Sequence, residues 1–583
     1  MILGLRSAFL FVLIVLLPCL SFGTENSNAE WNSLVDQYLD QVFFKFNPSG
    51  GTSAGLHQYD TQLEDFSRKS LDSQIAALQS FEKRVAAFPA NSLSEIEAAD
   101  REMLLGSIRG NLLELQVIKP WQKDPDFYTS AATNSVYVIM NRHFAPPDDR
   151  LRSVIAREQK IPSLFAAAHA NLQNPPRIYT EIAIEQLPGI IGFFEKDLPS
   201  AFQNASDAVK SDFAKSNTAV ISDLKKFQSW LKNDLLARSK GDFRIGAATF
   251  SKKLLYDEMV DTPLDRLLEI GLADLHKNQA EFARIAKLVD PNKSPSEVLA
   301  MLAARHPAPG DLLKTFASTF DGLIAFIQSR HIITIPTDIR PTLQETPPFE
   351  RSTTSASMDT PGPFETHATE AYFNVTLPGP KDSPEEIAGL MAGFNVGTII
   401  STAIHETYPG HYMQFLWTPR APTKLRKLIG SNTNDEGWAH YCEQMMLEEG
   451  YGQPGLGARD ETEANLIHLG QLQDALLRDA RFVVGIQMHR GAMSFKQAEE
   501  FFVKEGYQSP KIAEIETKRG TSDPTYLYYT LGKLQILKLR EDYRKKLGND
   551  FSLLKFHDEF MGQGFPPIPI IRKALLGESS PAL

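Results

Sequence analysis

Apolar residues recur at helical spacing through most of the first 240 positions. Ile75, Leu78, Phe81, Val85 and Phe88 stand at i, i+3, i+6, i+10 and i+13, and Ile221, Leu224, Phe227 and Leu231 repeat the step. Such stripes predict amphipathic helices packed on a core. In the second half, helix starts are marked by chemistry. Thr262-Pro263-Leu264-Asp265, Ser294-Pro295-Ser296-Glu297 and Ser383-Pro384-Glu385-Glu386 each put a cap residue first, proline next and a carboxylate at the third helical position. Between the last two the texture changes. Residues 332–349 are rich in Pro and Thr, and 370–377 read as a strand ended by Pro378-Gly379-Pro380. An edge strand there pairs with an extended peptide if it borders a cleft; otherwise it only packs. The pattern predicts a mainly α protein with a small sheet. At 583 residues it exceeds the usual single core, so the expected division is an N-terminal helical lobe over 24–245 and a second lobe over 246–583.

The helix expected from Ser383 runs through Ile399, Ile400 and Ile404 into a polar cluster. His405 and Glu406 stand side by side and His411 follows six residues after the first histidine. Two imidazoles that hold zinc beside a carboxylate that works on water is the layout of many zinc hydrolases, with the histidines normally four apart. Here the fourth position is Pro409. In an unbroken helix six residues turn His411 by roughly 240°, onto the wrong face. Pro409-Gly410 predicts a local bulge that takes up two residues and swings His411 back. Glu436 follows His411 by 25 residues, a spacing suited to a return helix carrying a third ligand. His440, at i+4 from Glu436, is the rival. Glu443, seven residues beyond Glu436, shares its face and is placed to orient a histidine ligand.

Charge and termini narrow the classes. The net charge of −11, with no basic run, argues against a nucleic-acid partner. Residues 1–23 read as a signal peptide: Arg6, an apolar run over 8–17, and small residues Ser21 and Gly23 at a cleavage site. The expectation is therefore an exported protein without stable membrane insertion after cleavage. Cys19 raises a lipid anchor as the alternative, but Pro18 stands where a small residue belongs. Cys442 is then the remaining cysteine, expected to be a buried thiol. His57, in the polar loop over 55–60, reads as a structural hydrogen-bonding residue.

Four stretches together carry a family resemblance: the His405–His411 motif, the Gly-Ser-Asn-Thr-Asn-Asp-Glu-Gly-Trp-Ala-His-Tyr-Cys-Glu block over 430–443, Arg478-Asp479-Ala480-Arg481 with His489, and 524–532 with Arg540. The chain resembles the bacterial family catalogued as domain of unknown function 885, grouped with the gluzincin metallopeptidases such as thimet oligopeptidase and the Taq-type carboxypeptidases. The resemblance implies a helix-rich, two-lobed shell around a deep cleft, one Zn2+ on His405, His411 and Glu436, and Glu406 as general base. The family often has a second His after Pro-Gly-His; here that place is Tyr412, which points to His411 as the ligand. Among Tyr526, Tyr528 and Tyr529, the last fits the family's oxyanion-stabilising tyrosine best. Glu443 and His440 are expected behind the metal, and Tyr526, His489 and Arg519, ahead of Arg481 and Arg540, at the substrate. Glu516 and Arg519 suit a surface ion pair. The expected partner is an oligopeptide substrate. A non-peptide amide or cell-wall peptide fragment, or a peptide-binding relative without turnover, are the alternatives.

Overall fold

The computed structural model describes residues 28–347, 349–351, 354–379, 382–577 and 579–583. The signal peptide expected at 1–23, Cys19 included, lies outside the described residues. Helices occupy the chain from Ala29–Tyr38 to Ile568–Leu576, interrupted by short strands, so the protein is mainly α with a small sheet. The helical stripes turn inward: Leu78, Phe81 and Val85 are buried on Arg68–Ala87, and Leu224 and Phe227 on Asp207–Trp230. One apolar cluster gathers Trp31, Tyr38 and Phe81 and also takes in Leu425, Ile429 and Ile570 from far along the chain. A second is built mainly from residues between Tyr128 and Leu235. A third runs from Leu312 to Leu575 and holds Tyr408, Tyr412 and Trp438. No single helix among the described residues is long and apolar enough to cross a membrane.

In the loop over 55–60, His57 Nδ1 lies 3.1 Å from Asp60 and Nε2 lies 3.0 Å from Glu365, with the ring stacked on Phe144. Ser294 and Ser383 form complete capping boxes with Glu297 and Glu386. Thr262 does not cap. Pro263 is extended at ψ 141°, which holds it outside the helix, and Leu264 is the first helical residue.

The sheet has three strands, β1 (Thr342–Glu345), β2 (Ala356–Asp359) and β3 (Tyr372–Val375), in the order β1-β3-β2. β3 pairs parallel with β1 and antiparallel with β2. The strand expected at an edge is therefore the central one, because Phe373 and Val375 are buried and both its backbone sides are paired. The edge strand that borders the cleft is β2, through Ala356, Ser357 and Met358.

Among the helices that frame the cleft are α1 (Val396–Glu406), α2 (His411–Trp417), α3 (Asn432–Glu448), α4 (Glu461–His489), α5 (Pro510–Ser522) and α6 (Tyr528–Leu547). The continuous helix expected from Ser383 to His405 is two. Pro384–Gly393 stops at Phe394, and Asn395 caps a new start by accepting from Gly397 N and Thr398 N at 3.0 and 3.1 Å. A capping side chain competes well with helix continuation, so the axis bends by 61° there. α3 lies along α6 and α1 along α4, both at glycines. A Cβ on Gly532 would come within 2.0 Å of Thr433 O, and one on Gly470 within 2.3 Å of Gly397 C. Backbone therefore meets backbone beside the cleft, and the fully buried Trp438, Tyr441 and Met445 of α3 fill the other side. Each such side chain contributes about 1.5–3 kcal/mol by burial.

Candidate metal centre and its cleft

The two motif histidines belong to different helices. α1 ends at Glu406, Thr407 to Gly410 form a turn with a cis Tyr408–Pro409 peptide, and His411 opens α2. The expected bulge within one helix is thus a complete break, for Pro409 lacks the N–H that continuation needs. Gly410 is required for space. A Cβ there would sit 1.8 Å from His405 O. Gly410 N–H donates to Ile404 O at 3.0 Å, and Trp438 Nε1–H donates to Pro409 O at 2.9 Å, so α3 holds the turn from below.

That turn brings His405, His411 and Glu436 together, with one potential ligand atom from each lying within 4.8 Å of the others. His405 Nε2 and His411 Nε2 are 3.4 and 3.3 Å from Glu436 Oε2, an oxygen that is buried and lacks a hydrogen-bond partner. The far sides of the rings are also held. His405 Nδ1 lies 2.7 Å from Glu443 Oε1, and His411 Nδ1 is 3.0 Å from Asp435 Oδ1. Burial works against imidazolium, yet these carboxylates outweigh it and leave both histidines above their ordinary values. The pocket is built for positive charge. Its donor set fits a divalent metal: two imidazoles, one carboxylate, and an orphaned oxygen where their atoms converge.

Glu406 is buried at the same cavity, with Oε2 unpartnered, and burial lifts its carboxyl above the usual range. Tyr529 donates to Glu436 Oε1 at 2.7 Å, and Arg519 reaches the Tyr529 hydroxyl at 3.1 Å. Burial raises the Tyr529 phenol's pKa, so it is a proton donor at neutral pH. His440 lies outside the group of three: it is fully buried, and Glu443 stands between it and His405, with Oε2 3.2 Å from His440 Nδ1.

Other expected residues fall elsewhere. His489 packs against Phe243, and its Nε2 binds Gly520 O at 2.7 Å, outside the cavity wall. Tyr526 is fully buried beneath Gly485 and Gly520 and also misses the wall. Tyr528 donates to Asp523 at 2.7 Å. Arg540 donates to Tyr441 and Glu448 away from the cleft. Glu516 pairs with Arg481 in a two-pronged contact of 2.6 and 2.7 Å, not with Arg519, because the longer reach across α4 and α5 satisfies both carboxylate oxygens. Arg519 pairs with Asp523 instead. Residues without an assigned role in the sequence reading now have neighbours: Asp435 behind His411, Arg478 3.1 Å from Glu443, and Trp438 under the turn.

The cavity over this centre measures 650 Å3. Its walls come from α1 to α6, from β2, and from Asp124, Tyr179 and Gln186 of the first half of the chain. No curated protein matches the chain. Among solved structures, a candidate lipoprotein of unknown function from Shewanella oneidensis is 27% identical, with 94% of this chain and 100% of that one covered and a TM-score of 0.75. A candidate lipoprotein from Colwellia psychrerythraea shares the fold at 18% identity, 94% and 99% coverage and a TM-score of 0.78. A Pyrococcus furiosus carboxypeptidase is more distant, at 14% identity, 89% and 97% coverage and a TM-score of 0.32. Residues 48–575 match the DUF885 family, described as bacterial protein of unknown function, and the chain belongs to that family.

Proposed function

We propose that the protein is an exported, zinc-dependent peptidase that hydrolyses oligopeptides able to enter the cleft. The observation that carries this reading is the convergence of one ligand atom each from His405, His411 and Glu436, all within 4.8 Å of one another, beside Glu406, whose buried Oε2 has no hydrogen-bond partner. His405, His411 and Glu436 would hold the metal, and Zn2+ in such a site lowers the pKa of a bound water and polarises a carbonyl. Glu406 takes a proton from the attacking water and returns it to the leaving amine. Tyr529, protonated and backed by Arg519, donates to the developing oxyanion; such a donor is typically worth about 100–1,000-fold in rate. Glu443 and Asp435 fix the ring planes of the histidines from behind. The edge of β2 offers backbone groups to an extended substrate. Export is supported by residues 1–23 and by the description of the Shewanella relative as a candidate lipoprotein.

The test is Glu406→Gln. Purified wild-type protein should carry zinc by elemental analysis and cut a mixed peptide library, read by mass spectrometry. The variant should keep the metal and lose about 100- to 10,000-fold in cleavage. A metal-free wild type, or a variant that cuts as well as the wild type, would falsify the reading.

A further inference from the structure

The charges around the cavity do not balance. Every Arg and Lys in its wall already has an acidic partner: Arg351 with Glu345 at 2.7 Å, Arg478 with Glu443 at 3.1 Å, Arg481 with Glu516, Lys518 with Glu185 at 2.8 Å, and Arg519 with Asp523 at 3.3 Å. These cations are committed, so none is spare to read a free carboxylate. The acids differ. Asp435 and Glu436 face the histidines, Glu406 stands beside the metal set, Glu185 and Glu516 pair with Lys518 and Arg481, and Asp474 lies 3.7 Å from Arg478, which leaves Asp124 and Asp126. Among the described residues neither has a Lys, Arg or His nitrogen within 4.0 Å. Asp126 accepts from the Thr129 and Ser130 hydroxyls at 2.8 and 3.0 Å, and Asp124 Oδ1 accepts from Asp126 N–H at 2.9 Å. These contacts fix the two carboxylates without neutralising them.

A second observation lies on the neighbouring helix Arg177–Gly192. Gln186 is only 9% exposed, faces the same cavity, and its Oε1 is buried without a hydrogen-bond partner. Tyr179, on the same face two turns earlier, feels the charge of Asp124 and holds its hydroxyl on Thr521 O. The wall thus offers two uncompensated carboxylates and an idle amide carbonyl, all acceptors, with the Tyr179 proton already spent on Thr521 O. Left alone, the pair favours a proton: burial first, then Asp126, pushes Asp124 up to about 8.

We propose that Asp124, Asp126 and Gln186 form a subsite for a cationic group of the substrate, either a peptide's α-ammonium or the side chain of one of its lysines or arginines. The proposal rests on the peptide reading above for the class of substrate, but not on turnover. An ammonium supplies the positive charge that the pair lacks, and its N–H groups only donate, which suits a wall of acceptors.

The experiment is equilibrium binding to the full-length Glu406→Gln chain of four probes: the tetrapeptide Ala-Lys-Ala-Ala, its norleucine analogue, and the N-acetylated form of each. The expected result is a loss of about tenfold in affinity on removing one of the two cations, and which removal matters identifies the source. In Asp124→Asn/Asp126→Asn the preference should vanish while the acetylated norleucine peptide binds unchanged. Asp124→Asn alone retains an oxygen for the Asp126 N–H and should reduce the preference, which guards against a double variant that fails to fold. Equal binding of all four probes, absence of binding, or a preference that survives both variants overturns the proposal. Binding with the expected preference but no cleavage by the wild type would overturn the peptidase reading and leave this one standing.

Discussion

Glu443 divides its carboxylate between His405 Nδ1 on one oxygen and His440 Nδ1 on the other, with Arg478 3.1 Å from the first. Burial opposes its charge, but Arg478 and the two histidines hold its pKa well below the usual range. One side chain therefore sets both the orientation and the basicity of a proposed ligand. Glu443→Gln should lower metal affinity about 10- to 100-fold, measured by competition with a chromogenic chelator, and unchanged affinity would remove it from the site. Cys442, on the same helix, is fully buried, and burial raises its pKa well above the ordinary thiol value. It should resist alkylation in the native protein and react completely in denaturant, counted by intact mass.

Elements, more than single ligands, decide whether these residues meet. α3 and α6 touch backbone to backbone at Gly437 and Gly532, one residue from Glu436. Gly532→Ala forces a methyl toward Thr433 O and should destabilise the protein by about 1–3 kcal/mol in denaturant unfolding, with weakened metal retention because Glu436 moves with the crossing. A variant as stable as the wild type would mean that the two helices part without cost. What could be read in the chain follows from the same physics. Ser294 and Ser383 announced their helices because a capping box is a purely local device. The break at Phe394 was hidden because its cap, Asn395, sits inside an apolar run that favours continuation. Pro409-Gly410 announced that His411 must be re-aimed, but whether by bulge or break depends on packing under Trp438, which is not local. Tyr526 and His489 are hidden for a similar reason: whether a polar aromatic residue in a turn or at a helix end faces a cavity or a core depends on tertiary contacts alone.

Over the whole molecule, His557 makes stability depend on pH in the acid range. His557 is fully buried, with Nδ1 2.7 Å from Ile332 O and Nε2 2.9 Å from the Tyr441 hydroxyl, and burial drives its pKa down to about 3. Between that value and the ordinary 6.5 only the unfolded chain binds the proton. His557 thus withholds nothing above pH 6.5 and costs stability progressively below it, by about 1.4 kcal/mol per pH unit. Buried carboxyls work in the opposite sense, since burial lifts Glu158 to about 8 and Asp479 to about 7. A comparison isolates the histidine: His557→Gln should show a shallower fall in melting temperature from pH 6.5 to 4.5 than the wild type, and parallel curves would refute the assignment. The break between α1 and α2 reaches further than the geometry of two ligands. α2 spans seven residues, too few to persist through its own hydrogen bonds. Metal shared by His405, His411 and Glu436 would act as a clasp across three separate segments, so part of its binding energy is the local folding energy of 407–417. Chelation should speed amide hydrogen exchange there first, while the amides at the α3–α6 crossing stay protected. Starved of metal, the protein would keep its architecture and lose the register of one short helix.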